Sequence, residues 1–392
     1  MSQRTLGKPE LGVLYLGWFL VDADLVVINP LLVPLAGHFQ TSLVTVTFAL
    51  TGYLLLFGIL QPIYGVVSDA VGRVRVMRIG LLGIGGANLV AALASHVGLL
   101  IAGRALAGAA AAALVPVTVA YVGDRVEPQH RQRVLAGLLS VSALGFASGT
   151  LASGVLAELV SWRASLLVIA VTALTLAVFY ARLPEARQPD AARVSPLSRV
   201  GEVFSRGPMV FLLAFSVVEG AAMMGFFNFF NAALQLGGSG IVVAVLVTGT
   251  YGVGAVAGGR LVRLVHERLS QAALFGIGTS LLAIGYLTAA LSQSVAAILV
   301  ASVCCGASLA IAQSTLQVWT IQAAPSTSLG TAISFGASAV FIGAAISTAA
   351  VGGLAAAGDF GLLFGIAAVV TVPVIVVGTL AQARFSRVAN QT

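Results

Sequence analysis

Apolar stretches long enough to cross a lipid bilayer recur twelve times along this chain. A membrane-spanning helix needs about 20 apolar residues, so each stretch can cross with some tilt. Charged residues make up only 8% of the chain, too few to cover a surface in water. We therefore predict an all-α membrane protein with twelve transmembrane helices. The stretches lie at residues 11–36, 43–68, 76–95, 98–122, 134–158, 163–183, 209–235, 241–262, 270–291, 294–320, 329–356 and 359–383.

The twenty basic residues are distributed unevenly between the loops. If the N-terminus is cytoplasmic and each stretch crosses once, only Arg104 (in the fourth stretch) and Arg163 (after the fifth) are not on the cytoplasmic side. Cytoplasmic loops of membrane proteins carry such an excess of Lys and Arg. The distribution predicts cytoplasmic N- and C-termini, and it accounts for the net charge of +7 without a nucleic-acid partner. The preference for Arg, Ala and Gly indicates a GC-rich genome and hence a bacterial inner membrane.

Residues 184–208 form the longest polar segment, which contains four prolines and charges of both signs. We interpret it as a cytoplasmic linker, with a short amphipathic helix expected near residues 195–205. It divides the chain into an N-terminal six-helix bundle, residues 1–183, and a C-terminal six-helix bundle, residues 209–392. Two halves of similar length predict an internal repeat, which is common among secondary transporters.

Between the second and third stretches lie Gly65, Asp69, Gly72 and Arg73. This pattern resembles the loop 2–3 signature of the major facilitator superfamily, although Ala70 stands where a basic residue is usual. The resemblance implies two six-helix bundles that rock about a central cavity, and a gating role for these four residues. It also implies that the eleventh helix approaches Gly65. We expect that helix to begin after Ser326-Thr327-Ser328, which are good N-cap residues, and Asp69 to lie against its positively polarised N-terminus. An ordinary loop ion pair between Asp69 and Arg73 is the alternative.

The fifth stretch has a run of glycines that resembles the motif of proton-coupled drug exporters within that superfamily. Thr150 and Ser153 depart from the motif, and packing between helices is the alternative function of the run. In the first stretch, Asp24, Asn29 and Pro34 resemble the first-helix pattern of the same exporters, with one extra residue before the proline. The glycines that carry the resemblance are Gly145, Gly149 and Gly154.

Away from the ends of the predicted spans, four charged residues stand out: Asp22, Asp24, Arg104 and Glu219. A charge at the centre of a span costs about 2.5–3.5 kcal/mol on insertion scales, so such residues are expected to face the protein interior and to be functional. Asp22 and Asp24 are about 200° apart around a helix. A stripe that includes Trp18, Asp22 and Asn29 favours Asp22 as the residue facing a cavity, whereas the exporter resemblance favours Asp24. A permanent Asp–Arg104 pair is a further alternative.

Glu219 lies about as deep in the seventh stretch as the two aspartates lie in the first. Around it, Met223, Phe227 and Asn228 are candidates for a cavity wall, since sulfur and aromatic groups suit a lipophilic cation. A carboxylate that loses its water binds a proton more readily and can exchange it for substrate. The alternative is that these apolar side chains face lipid.

We therefore predict a proton-coupled exporter of small amphipathic or drug-like molecules. The rival hypothesis is a proton symporter that imports a nutrient or an organic anion, with Arg104 as the anion anchor. The expected partners are a small-molecule substrate, protons and the lipid bilayer, with the protein as a monomer. The four histidines lack the spacing of a metal site, and no nucleotide-binding motif is present, so neither a cofactor nor a metal nor an enzymatic activity is expected.

Overall fold

A computed structural model describes residues 7–185, 196–324 and 328–389, and within these ranges the regular secondary structure is entirely helical. Twelve helical segments are long and apolar enough to cross a membrane, which confirms the predicted fold class. We number them spans 1 to 12. They are Lys8–His38, Leu43–Val71, Arg73–Ala92, Val97–Arg125, Pro128–Leu159, Trp162–Tyr180, Gly207–Leu236, Ile241–Val265, Gln271–Leu291, Val295–Ala323, Leu329–Ala356 and Phe360–Phe385.

Several boundaries differ from those predicted. Span 5 starts six residues early, at Pro128, because proline is favoured in the first turn of a helix. Spans 2 and 3 are separated by Gly72 alone, whose φ of 112° is strained for any residue with a side chain. Span 7 starts at Gly207, two residues before the predicted start, and a helix at Pro196–Ser205 lies where the short amphipathic helix was expected. We call it the linker helix.

Three spans contain a 3-10 or π-helical turn near their middle. In span 1 the α-helix ends at Val26 and continues through a 3-10 turn at Asn29–Leu31. Span 7 contains a π-helical turn at Ala221–Gly225, and span 10 contains another at Leu309–Gln313. Such turns often mark functional positions in helices.

The two halves of the chain repeat the same helix spacing. Spans 2, 3, 4 and 6 each begin 198 residues before spans 8, 9, 10 and 12. The paired first residues are Leu43 and Ile241, Arg73 and Gln271, Val97 and Val295, and Trp162 and Phe360. Spans 5 and 11 keep this offset where they meet spans 1 and 7, because a Cβ on Gly145 would meet the Phe19 carbonyl and one on Gly343 would meet the Val217 carbonyl. The offset of 198 residues therefore identifies equivalent positions in the two halves.

Glycines bring equivalent helices together in both halves. A Cβ on Gly108 of span 4 would lie 2.7 Å from Tyr53 Cα of span 2. At the positions 198 residues later, a Cβ on Gly306 would lie 2.8 Å from the carbonyl carbon of Tyr251. Small residues allow helix backbones to approach closely in a membrane, so these contacts set the distance between the helices.

Gly108→Ala is expected to lower the free energy of unfolding by about 1–3 kcal/mol, because the added methyl group meets backbone that cannot move aside cheaply. The measurement is thermal or denaturant unfolding of the purified protein in detergent. Gly86→Ala is the matched control, because Gly86 is exposed on span 3 and a Cβ there meets no atom within 4 Å. Equal stability of the two variants would contradict the expected close packing.

Contacts between the loops show which of the basic residues lie at the same end of the molecule. Arg73, at the start of span 3, reaches Asp124 near the end of span 4, and the Arg125 guanidinium donates to the carbonyl of Glu185 after span 6. These loops therefore meet at one end of the molecule, which we call the arginine-rich end. At the opposite end, Arg163 lies 3.5 Å from the Nε2 atom of His38.

Candidate functional site

A narrow pocket lies between the two halves, and its lining comes from spans 1, 2, 5, 7 and 8. Its free volume is about 20 Å³, room for roughly one water molecule. We call it the central pocket. Its lining is apolar except for the Asn228 amide and the Tyr251 hydroxyl group. The lining residues are Leu25, Val26, Leu50, Leu54, Phe146, Met223, Met224, Phe227, Asn228 and Tyr251.

Of the five candidates for a cavity wall, Met223, Phe227 and Asn228 line the central pocket, whereas Trp18 and Asn29 do not. Asn29 instead donates a hydrogen bond of 3.0 Å to Asn228 Oδ1, across the two halves. Asn228 Nδ2 then donates to Thr348 Oγ1 at 3.2 Å. These polar contacts join spans 1, 7 and 11 beside the central pocket.

Asp24 and Arg104 form a buried ion pair inside the N-terminal half. Arg104 Nη1 lies 2.5 Å from Asp24 Oδ1, and both side chains are 0% exposed. Asn88 donates to the same carboxylate oxygen at 3.0 Å, and the Tyr53 ring lies under the guanidinium group, 4.5 Å from its carbon. The pair connects spans 1 and 4, which agrees with the Asp–Arg104 pair considered as an alternative above. Neither residue lines the central pocket.

Sequence reasoning missed Asn88. The signal was an amide side chain in the middle of the third stretch, where a polar group inside the membrane needs a partner. The equivalent positions in the C-terminal half are uncharged: Ala222, Tyr286 and Ser302 stand 198 residues after Asp24, Asn88 and Arg104. There the Tyr286 hydroxyl group donates to the Ala222 carbonyl at 2.7 Å. The charged cluster is therefore particular to the N-terminal half.

Asp22 lies where span 1 packs against span 5, and its side chain is 8% exposed. The Ser142 hydroxyl and the Trp18 indole lie beside its carboxylate, while Oδ2 has no hydrogen-bond partner among the described residues. One turn further along each helix, Leu25 and Phe146 line the central pocket. Asp22 is thus adjacent to the pocket, on its arginine-rich side.

Glu219 is an unpartnered acid in the interior of the C-terminal half. Its side chain is 0% exposed, and neither carboxylate oxygen has a hydrogen-bond partner within the part of the chain that the structure describes. Met223, one turn later in span 7, lines the central pocket, but Glu219 does not. An isolated ionised carboxylate is very costly in such surroundings.

The loop 2–3 residues form a charged network at the arginine-rich end. Asp69 Oδ1 lies 2.5 Å from Arg73 Nη2, as in the loop ion pair considered above. Arg73 also reaches Asp124 Oδ2 at 3.2 Å and donates to Ser68 Oγ. The Glu185 carboxylate accepts hydrogen bonds from the backbone N–H groups of the first turn of span 3, which follows directly after Gly72. The network ties spans 2, 3, 4 and 6 together.

Span 11 is the neighbour of Gly65, as the resemblance implied, but the contact there is loose. A Cβ on Gly65 would lie 3.9 Å from Ser334 Oγ. The close approach of spans 2 and 11 occurs at Gly58, where a Cβ would lie 3.1 Å from the Ser338 carbonyl oxygen. Ser338 Oγ also donates to the Gly58 carbonyl at 2.7 Å, so this position holds the two halves together.

The expected helix cap at the start of span 11 is not formed by Ser328. Its side chain makes no capping hydrogen bond and instead donates to the carboxylate of Glu202 in the linker helix. Ser326 and Thr327, the other predicted cap residues, lie outside the described residues.

The glycines of span 5 serve helix packing. A Cβ on Gly145 would lie 2.6 Å from the Phe19 carbonyl oxygen, and one on Gly149 would lie 2.6 Å from Ala23 Cα. Gly154 instead packs against Val245 of span 8, in the other half. These contacts support the packing interpretation, and a role in antiport stays a prediction. Among the described residues, no group of three His, Cys, Asp or Glu side chains is placed to hold a metal ion.

Twelve spans in two repeated sets of six, closed around a central pocket, define a membrane transport protein. Residues 14–348 match the Major Facilitator Superfamily, and the chain belongs to this family. It is therefore a multi-pass membrane transporter and not an enzyme, and the predicted family resemblance is confirmed.

Among curated relatives, the puromycin resistance protein pur8 of Streptomyces alboniger is 35% identical over 202 residues, which are 51% of this chain and 40% of that protein. The multidrug efflux pump LfrA of Mycolicibacterium smegmatis is 30% identical over 212 residues, 54% of this chain and 42% of the pump. A triacylglyceride transporter of the same species is 33% identical over 147 residues, 37% of this chain and 26% of that protein. The matches thus cover less than half of each relative's length.

Solved structures agree in fold at low identity. A D-xylose–proton symporter superposes with a TM-score of 0.79 at 17% identity, covering 95% of this chain and 96% of the symporter. A bacterial homologue of the human lysosomal transporter Spinster, inward-facing, gives a TM-score of 0.73 at 14% identity, covering 96% and 97%. These likenesses establish the fold alone.

Proposed function

We propose that this transporter exports amphipathic, drug-like molecules from the cytoplasm across a bacterial inner membrane in exchange for protons. The observation that carries the proposal is the lining of the central pocket, which is made of aliphatic, Met and aromatic side chains and one amide, Asn228, without a charged group. Such a lining suits a lipophilic substrate. Relatives named for puromycin resistance, multidrug efflux and triacylglyceride transport support the same substrate class.

The rival hypothesis is import of a nutrient or an organic anion, and the organic anion would need an available cation in the pocket. Arg104 was the candidate anchor, but its guanidinium group is fully buried and occupied by Asp24 and Asn88. To bind an anion there, the protein would have to expose this pair. Export of a lipophilic molecule requires no such change.

A drug-sized ligand needs a site of about 300–1,000 Å³, so the central pocket must widen on binding. Met223 and Met224 can repack at small cost because their side chains are flexible. The π-helical turn that contains both residues is a second point at which span 7 can change. Widening is expected to accompany rocking of residues 1–183 against 209–392, as in alternating access.

The proposed direction of transport rests on the arginine-rich end being cytoplasmic, with a monomer as the transporting unit. Both acids next to the central pocket, Asp22 and Glu219, lie on the side of the pocket that faces this end. A proton bound there could be released to the cytoplasm as substrate leaves in the opposite direction. Asp22 is the better candidate because it retains some exposure, whereas Glu219 has none.

Everted membrane vesicles test the proposal. Ethidium, a neutral lipophilic dye and a small organic anion are offered with an imposed pH gradient, before and after nigericin collapses it. Ethidium or the neutral dye is expected to accumulate in the vesicles only while the gradient lasts, since everted vesicles turn export into uptake. Vesicles without the protein are the control. Gradient-driven movement of the organic anion alone, out of the vesicles, would favour the rival.

A further inference from the structure

A second cavity, of about 340 Å³, opens at the arginine-rich end of the N-terminal half. It is formed by the starts of spans 1 and 5 and the end of span 4, and we call it the end groove. Its lining is amphipathic. The lining residues are Lys8, Leu11, Tyr15, Val126, Glu127, His130, Arg133 and Val134.

The charged residues of the end groove are at its rim. Lys8, His130 and Arg133 are exposed, and Glu127 is the acid among the lining residues. Glu127 Oε2 lies 3.5 Å from His130 Nδ1. Buried Val126 and Val134, with half-buried Leu11, supply the apolar surface below. The groove thus combines an apolar floor with a rim of net positive charge.

The internal repeat shows what occupies the equivalent place in the C-terminal half. There the linker helix packs against the starts of spans 7 and 11. Val203 of the linker helix is 0% exposed, and Phe204 contacts Phe335 of span 11 edge-to-face with ring centroids 5.3 Å apart. The Glu202 carboxylate accepts a hydrogen bond from Ser328, which is the residue equivalent to His130. An apolar body with an anionic group therefore fills this position.

In the N-terminal half the equivalent lining is more basic. His130 and Arg133 stand where the C-terminal half has Ser328 and Thr331, and no described helix covers the end groove. Residues 1–6 include Arg4 and no acid, so they complement this rim poorly in charge. The groove lies at the ends of membrane-spanning helices, where lipid headgroups are found.

We propose that the end groove binds an anionic phospholipid of the cytoplasmic leaflet, with its phosphate between Arg133, His130 and Lys8 and its upper acyl chain on the valine floor. The leaflet assignment rests on the orientation proposed above. Bound lipid would hold span 1 against span 5, and through Tyr15 it would touch the helix face that carries Asp22.

The test uses the purified full-length protein in a nonionic detergent, titrated with phosphatidylglycerol or with phosphatidylcholine of the same acyl chains. Bound lipid is counted by native mass spectrometry, and stabilisation is measured as the shift of the unfolding temperature. His130→Ser/Arg133→Thr gives the groove the residues of the equivalent C-terminal positions. Arg263→Thr/His266→Ser is the matched control, since both residues are exposed at the end of span 8.

Phosphatidylglycerol is expected to bind equally well to the unmodified protein and to the control. It is expected to bind about tenfold more weakly to His130→Ser/Arg133→Thr, because basic residues near the membrane surface attract anionic lipid. Equal binding to both double variants, or equal stabilisation by phosphatidylcholine, would overturn the proposal. Stabilisation of the same size by glycerol 3-phosphate alone would overturn it too, by assigning the site to a free anion. Since transport is not measured, failure here is distinct from failure of the export assay.

Discussion

Arg104→Met is expected to lower the free energy of unfolding by about 3–5 kcal/mol, because it leaves the Asp24 carboxylate buried without its cation. Asp24→Leu is expected to lower the free energy of unfolding by a similar amount, because it leaves the Arg104 guanidinium group buried without its anion. Both residues are 0% exposed, so water cannot replace the lost partner without opening the bundle. Thermal unfolding in detergent and the amount of protein recovered from membranes measure the loss.

The double variant Asp24→Leu/Arg104→Met is expected to recover most of the stability, since an apolar pair can replace a buried ion pair at little cost. Arg78→Met, which removes an exposed arginine from span 3, is the control and should be close to neutral. A double variant as unstable as the two single variants combined would show that the two residues act independently, contrary to the observed 2.5 Å pair.

Asp22→Asn is expected to abolish transport driven by a pH gradient while the protein remains folded. The amide keeps the size of the side chain and can still bond to the Ser142 hydroxyl group, but it cannot carry a proton. The measurement is dye accumulation in everted vesicles with an imposed gradient, together with unfolding temperature. Downhill movement of dye without a gradient should continue, because the pocket lining is unchanged.

Glu158→Gln is the matched control for loss of an acid, as Glu158 is exposed near the end of span 5. Glu219→Gln in the same assay separates the two acids next to the central pocket. Loss of gradient-driven transport in that variant alone would transfer the coupling role to Glu219. Normal gradient-driven transport in both Asp22→Asn and Glu219→Gln would remove carboxylate coupling next to the pocket from the proposal.

The twelve spans could be predicted from the sequence because each requirement is local. A helix that crosses the bilayer must form the hydrogen bonds of its backbone within itself, and it must contain about 20 apolar residues, whatever its neighbours are. The loop 2–3 residues, Gly65 to Arg73, were recognisable for a related reason, since they are contiguous in the chain.

The choice between Asp22 and Asp24 could not be made from the sequence. A helical wheel distinguishes the faces of a helix only when one face is buried in protein and another is exposed. Residues 20–32 of span 1 are buried on every side. Tertiary contacts made the distinction, by placing Arg104 and Asn88 against Asp24. Met223, Phe227 and Asn228 could be proposed as pocket residues because they are consecutive or nearly so in one helix.

The sequence by itself determined that the chain crosses a membrane twelve times and that its family is the Major Facilitator Superfamily, because hydrophobic length and contiguous motifs are properties of the chain alone. Only the tertiary structure decided that Asp24 is a structural ion-pair partner, that Asp22 and Glu219 lie beside the central pocket, and that the linker helix fills one end of the C-terminal half. These results depend on residues tens to hundreds of positions apart. Their meeting is set by how helices pack, which no single segment encodes.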